Sequence, residues 1–215
     1  TIGIPLSKVA SPTCKKCSRL ERFLRDTKDK YPQYFCKPVP SFGDKDPFLL
    51  IVGLAPGMHG ANQTGRPFTG DHAGIILYET LFKYGFSNKK DSTPNDNLQL
   101  VNCRITNAVK CLPPENKPNT DEINNCNVFL TNEVNELRAG SVVLALGLIA
   151  HKAILKSQGL IESHFKFSHG NRHILPNGLI LYDSYHCSRY NTQTKRLTQS
   201  MFYNIFSSIK KEKEQ

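Results

Sequence analysis

The chain reads as an α/β protein, a three-layer α/β/α sandwich around a four-stranded parallel sheet. Three observations predict this. Four short runs rich in Val, Ile and Leu occupy residues 48–54, 100–109, 141–146 and 179–184. Each is apolar along most of its length, the pattern of a strand covered on both faces. Stretches with helical periodicity separate them, as parallel strands require. Polar segments follow three of the four runs: 53–71, Thr106-Asn107 and Tyr185-His186-Cys187-Ser188. In open parallel sheets ligands gather beyond the carboxyl ends of the strands, so these segments are expected to converge on one edge.

The elements follow in order. Residues 73–84 carry Ile75, Ile76, Leu77, Leu81 and Phe82 at helical spacing and end at Gly85, a stop signal. Residues 88–96, NKKDSTPND, form a polar surface loop. Asn119-Thr-Asp-Glu122 opens a helix with a capping residue and acidic first-turn side chains, and that helix runs to about Leu137. A third helix covers 148–157 and stops before Gly159. The last, 194–213, ends in a solvated Lys/Glu tail. No internal repeat or linker divides the chain.

The bulk numbers agree. A length of 215 residues suits a single domain, 1–215, with a full core. Hydrophobic content of 39% and charged content of 21% exclude a disordered chain. No run is long enough to span a membrane, and no signal peptide opens the chain. Thr1 as first residue is read as a processed or trimmed start. The net charge of +10 fits a polyanionic partner such as nucleic acid, although a solvated basic surface alone gives the same number.

Seven cysteines, an odd count, argue against a secreted disulfide framework. Cys14-Lys-Lys-Cys17 is a tight pair near the start of a helix-like segment, and Cys111 and Cys126 form a wider one. Four thiolates satisfy a [4Fe–4S] cluster or a structural zinc. A redox pair is a third reading, but Cys14-Cys17 does not follow a strand in a βαβ unit. Cys103 falls in a strand and reads as a small core residue. Cys36 and Cys187 are left over.

The loop after the first strand reads GLAPGMHGANQTGRPFTGD, residues 53–71. Two phosphate-loop patterns fail on it. Gly53 is followed by Leu54-Ala55, so the dinucleotide fingerprint is absent. Gly60 and Gly65 have P-loop spacing, but Arg66-Pro67 stands where Lys and Ser/Thr belong. Glycines mixed with polar residues and Phe68 suit a pocket in which backbone amides and an aromatic ring meet a flat, polar ligand.

That loop, together with TNAVKCLPPENKPNTDEINNC (106–126) and SYHCSRYNTQTKRLT (184–198), resembles the successive motifs of the type-b, or family-five, uracil-DNA glycosylases. These are close relatives of the iron–sulfur family-four enzymes. Gly-Leu-Ala-Pro rather than Gly-Glu-Ala-Pro favours family five. The resemblance spans nearly the whole chain. It implies a monofunctional enzyme that hydrolyses the N-glycosidic bond of uracil in DNA, extending to hypoxanthine or xanthine, and leaves an abasic site. It tips the four cysteines, Cys14, Cys17, Cys111 and Cys126, to a structural [4Fe–4S] cluster. It implies a prokaryotic, cytoplasmic monomer working at the nucleoid on double-stranded, and also single-stranded, DNA with deaminated bases.

Site roles follow residue by residue. His186 would hydrogen-bond the base O2 as charge develops there. Asn107 would pair with the O4 and N3–H edge, since an amide both donates and accepts. Phe68 would stack on the base. Ala55 and Gly57 would supply backbone donors, with His59 and Asn62 lining the pocket or stabilising the loop. Asp71 would position water or stabilise the sugar cation; the competing role is a cap on the helix from Ala73. Ser188, Arg189, Tyr190, Asn191, Thr192, Lys195 and Arg196 would meet DNA, with Arg189 or Tyr190 as the wedge that fills the vacated stack. Thr64 and Arg66 would reach phosphates. Cys187 stands where the family usually has proline, which removes that ring's stiffness from the loop. Two other readings remain: a family-four enzyme, disfavoured by Leu54, and a non-catalytic iron–sulfur nucleic-acid-binding protein. Asn107 and His186 sharing one pocket would separate the last from an enzyme.

Overall fold

The computed structural model describes residues 10–215; Thr1 lies outside them. Six strands form one sheet in the order β1-β3-β2-β4-β6-β5. They are β1 (Phe42–Gly43), β2 (Leu49–Gly53), β3 (Cys103–Asn107), β4 (Val142–Leu146), β5 (Arg172–Ile174) and β6 (Ile180–Ser184). The four expected strands make the parallel centre, β3-β2-β4-β6. The four-stranded expectation is corrected by β1 and β5, which add antiparallel at the two edges. They are two and three residues long, too short to show periodicity. In β5, Arg172 and His173 put polar groups on the edge, which discourages pairing with another chain.

The helices are α1 (Ser18–Lys30), α2 (Ala61–Thr64), α3 (His72–Lys83), α4 (Thr120–Asn135), α5 (Leu148–Ser157), α6 (Arg189–Gln193) and α7 (Gln199–Lys213). Because side chains alternate along each strand, the sheet has two buried faces. Leu49, Ile51, Ile105, Leu144 and Tyr182 pack with Leu77 and Leu81 of α3 and Phe202 and Phe206 of α7. Leu50, Val52, Val143, Ala145 and Leu181 pack with Leu130 and Val134 of α4 and Ala150 and Ile154 of α5. These are the three layers. α1 lies outside them and is tied to α4, where Arg19 Nε donates to Glu122 at 2.7 Å.

The Asn119 signal forms a capping box: the Glu122 amide donates to Asn119 Oδ1 at 2.9 Å, and the Asn119 amide to Glu122 Oε2 at 2.8 Å. The helix expected over 194–213 starts later, at Gln199, after a non-helical stretch that separates it from α6. Lys195 adopts φ +58°, and Thr198 caps a fresh start by accepting from the Met201 amide at 3.2 Å. A run with unbroken helical composition hid this break.

Candidate functional site

Three loops leave the carboxyl ends of β3, β2 and β6 on the same edge of the sheet, with β4 between β2 and β6. Gly53 and Asn107 pair in register across β2 and β3. The pairing runs past the strands, since Ala108 donates to Gly53 O at 2.9 Å and Val109 to Leu54 O at 3.0 Å. Gly53 has no room for a side chain: a methyl there would stand 2.5 Å from Asn107 Oδ1 and 2.6 Å from Phe68 Cζ. Phe68 and His186 lie with ring centroids 6.1 Å apart and planes 29° apart. Asn107, Phe68 and His186 therefore surround one place, as expected.

Asn107 Oδ1 and His186 Nδ1 are both buried without a hydrogen-bond partner among the described residues. Each unpaired buried group costs about 1–3 kcal/mol, a cost that a flat ligand with polar edges would relieve. Burial also holds the His186 imidazole down to about 4, so the ring is neutral at physiological pH. Phe68 has φ +55°, a left-handed conformation that a phenylalanine adopts only when its surroundings demand it. Two contacts impose it. Tyr78 donates to Pro67 O at 2.7 Å, and Gly74 leaves space for the Phe68 carbonyl, which a methyl there would meet at 1.8 Å.

Asp71 stands at the N-cap of α3 but makes no side-chain cap bond. Its carboxylate turns back to the glycine loop and accepts from the Ala61 amide at 3.1 Å. Methyl groups on Gly57 and Gly60 would come within 2.3 and 1.8 Å of Asp71 Oδ1, so these two glycines form its cradle. Desolvation by burial raises the Asp71 carboxyl above its ordinary value, against the pull of the Ala61 hydrogen bond. Ala55 is partly buried at the mouth of the same loop.

Other loop residues serve the fold. Asn62 is fully buried and donates to Met58 O at 3.4 Å and Cys36 Sγ at 3.5 Å, which ties the loop together, while its Oδ1 is buried without a hydrogen-bond partner among the described residues. His59 is exposed and turns to Tyr34, whose hydroxyl lies 2.8 Å from its Nδ1. Arg66 departs from expectation. Its guanidinium lies 2.8 Å from Asp96 Oδ1 and donates to Ser92 Oγ at 3.1 Å, so it anchors the 88–96 loop rather than facing outward. Thr64 Oγ1 is likewise used within the loop, donating to Thr69 O at 2.8 Å.

The segment after β6 divides by role. Ser188 caps α6, accepting from the Asn191 amide at 3.3 Å. Asn191 Nδ2 donates to His186 O at 2.8 Å, and Thr192 Oγ1 lies 3.4 Å from His72 Nε2. The Arg196 guanidinium sits over the Tyr185 ring, 4.9 Å from its centroid. Arg189, Tyr190 and Lys195 point outward, Tyr190 with 71% of its surface exposed. Cys187 is wholly buried, and the Asn191 bond holds the carbonyl that precedes it.

Cys14, Cys17, Cys111 and Cys126 line one cavity of about 310 Å³ between α1, α4 and the loop after β3. Burial raises the Cys17 and Cys126 thiols, against the pull of the hydrogen bonds from Asn125 Nδ2 to Cys17 Sγ at 3.7 Å and from Lys110 N to Cys126 Sγ at 3.4 Å. Burial, followed by the other thiols, raises Cys111. Among the described residues, His151, His173 and Asp183 bring three possible ligand atoms within 4.8 Å of one another. Cys36 lines the same cavity, and Cys103 is a core residue.

Two supporting residues escaped sequence reasoning. Lys110 is buried and donates to Asn107 O at 2.5 Å, Thr106 Oγ1 at 2.6 Å and Glu133 Oε2 at 2.9 Å. A lysine inside an apolar strand exit was the available signal. His169 Nδ1 accepts from the Tyr185 amide at 3.0 Å, next to His186, and nothing in the sequence around it marks that role.

Residues 40–210 match the family model described as Uracil DNA glycosylase superfamily. The chain is 42% identical over 203 residues to the type-5 uracil-DNA glycosylase of Thermus thermophilus, covering 92% of this chain and 93% of that one. It is 42% identical over 190 residues to the type-5 enzyme of Pyrobaculum aerophilum, covering 86% and 82%. Against the type-4 uracil-DNA glycosylase of the same organism, identity is 35% over 134 residues and 61% of each chain. The crystal structure of Pedobacter heparinus SMUG2 shares the fold, with a TM-score of 0.50 at 14% identity over 99% of this chain and 92% of that one. A parallel sheet with its polar loops at one edge, and relatives of this identity along nearly the full length, lead to one assignment: the chain belongs to the uracil DNA glycosylase superfamily, in its type-5 branch.

Proposed function

We propose that this protein is a monofunctional uracil-DNA glycosylase that hydrolyses the bond between uracil N1 and deoxyribose C1′, leaving an abasic site. The observation that carries this reading is the pair of unpartnered buried polar atoms, Asn107 Oδ1 and His186 Nδ1, on the two side chains that flank Phe68. The base is extruded from the stack, and Phe68 covers its face. The Asn107 amide reads its O4 and N3–H edge. As the C1′–N1 bond breaks, its electron pair stays on the base, and neutral His186 donates to O2 where charge collects. Asp71, ionised in its glycine cradle, holds the water that attacks C1′ and steadies the sugar cation. The water's oxygen bonds to C1′, and its proton is released as the sugar hydroxyl forms. Arg189, Tyr190 and Lys195 meet the DNA. Hypoxanthine and xanthine share the carbonyl and ring N–H that Asn107 reads, and are further substrates.

Cys14, Cys17, Cys111 and Cys126 would hold a [4Fe–4S] cluster, a reading supported by the one cavity that all four line. When bound, the cluster supplies a covalent staple between α1, α4 and the loop after β3, not electron transfer to the base.

The test is incubation with duplexes carrying U·G, U·A, hypoxanthine or xanthine, then alkaline cleavage of abasic sites. Strand scission at uracil is expected, and at the purine lesions for the wider range. Intact strands throughout would overturn the enzyme reading.

A further inference from the structure

A groove of about 540 Å³ extends from Phe68 and Asp71 of the proposed site along the first turns of α3 to the 88–96 loop. Phe68 and Asp71 form its inner end, Ile75 and Tyr78 its floor, and Arg189 and Lys90 also line it. It is built rather than incidental. Thr69 and Ser92 hydroxyls meet at 2.6 Å, and the Arg66–Asp96 pair pins the outer loop in place. Ile75 leaves 64% of its surface exposed on the groove floor, beside a site whose ligand is otherwise polar.

We infer that this groove receives the nucleotide next to the extruded one in the same strand, its base on Ile75 and its phosphates toward Arg189 and Lys90. The inference rests on the base-excision reading above. Two arguments carry it. Continuity is the first: Phe68 and Asp71 line the groove, and Phe68 also abuts Asn107 and His186 of the proposed base site, so a strand leaving that site on the Phe68 side meets the groove. Chemistry is the second. An apolar floor takes the face of any base, and cations take the backbone, a sequence-tolerant combination. Asp91 also lines the groove, where its carboxylate repels a phosphate but accepts from a base's N–H groups. The groove therefore holds base and sugar along its length and phosphate only near its cations.

The experiment measures binding of single-stranded oligonucleotides carrying 2′-fluoro-2′-deoxyuridine, which resists cleavage. One has neighbours on both sides, one lacks those on the 5′ side, and one lacks those on the 3′ side. Ile75→Glu should weaken binding of the full oligonucleotide about tenfold. Lys90→Ala should lower the slope of log K against log salt by about one. One of the two truncated oligonucleotides should lose sensitivity to both substitutions, which identifies the side. Ile75 and Lys90 are exposed, so the variants should fold, checked by an unchanged melting temperature. Wild-type affinity and slope in both variants, or equal sensitivity in all three oligonucleotides, would overturn the groove. Uracil excision by the wild-type chain in the same preparations separates the two readings: if excision is present and the variants bind normally, only the groove fails.

Discussion

At the scale of single residues, the site depends on what glycines leave out. Gly57 and Gly60 hold open the space that the Asp71 carboxylate fills. Gly60→Ala should therefore act like Asp71→Asn, lowering the single-turnover rate by up to about a hundredfold, the scale for displacing a reacting group by an ångström. A wild-type rate in Gly60→Ala would show that the carboxylate has no part in the chemistry. The same residues set the pH response. Activity should fall as pH drops through the Asp71 value, which lies above the ordinary 3.8. Because His186 stays neutral down to about 4, no limb near 6.5 is expected, and one appearing there would contradict the neutral imidazole. Stability follows with opposite signs. The unfolded chain protonates His186 first, so lowering pH from about 6.5 to about 4 removes on the order of 3 kcal/mol. Asp71, raised in the folded state, binds its proton more tightly there and partly offsets that loss. Denaturant titrations of wild type and His186→Gln should diverge across this interval.

Among the elements, the loop after β3 joins two functions through Lys110. Its three donors are used on Asn107 O, Thr106 Oγ1 and Glu133, while its own amide meets Cys126. Lys110→Met would leave the Glu133 carboxylate, 12% exposed, without its cation. A loss of about 3–5 kcal/mol is expected, with much of it restored when Glu133→Leu is added. Denaturant midpoints of the single and double variants check this; an additive double variant would mean the two groups do not interact. The elements also show what was legible beforehand. The parallel strands could be read because burial on both faces demands unbroken Val, Ile and Leu, and α4 because Asn119 and Glu122 sign its start. The edge strands β1 and β5 could not, since two or three residues carry no period. Asn107, Phe68 and His186 could be placed from motif order. Arg66 could not, because its partner Asp96 lies thirty positions away in a loop without pattern.

For the whole molecule, the cysteine cavity and the base pocket share a wall. Phe35 and Cys36 amides donate to Gln63 O and Asn62 O at 3.1 and 3.0 Å, which ties the segment before β1 to the loop that carries Phe68 and Asp71. Outside the sandwich, α1 is fastened by Arg19 to Glu122, and Asn125 Nδ2 donates to Lys16 O just before it at 3.1 Å. If the four cysteines hold the proposed cluster, removing its iron by chelation under reducing conditions should free α1 first. Limited proteolysis should then cut between residues 10 and 38 while the sheet survives. Visible absorbance should disappear in step with that cleavage, and a metal-free protein as resistant as the untreated one would argue against the cluster as staple.

The cradle around Asp71 also constrains how this sequence can change. A side chain at 57 or 60 is excluded only while the carboxylate occupies that space. Descendants that retain Asp71 must keep both glycines, whereas a lineage that first replaces Asp71 with a small residue releases both positions at once. The order of substitutions is thus directional, and a random library built on an Asp71→Ala parent should accept residues at 57 and 60 that the native parent rejects.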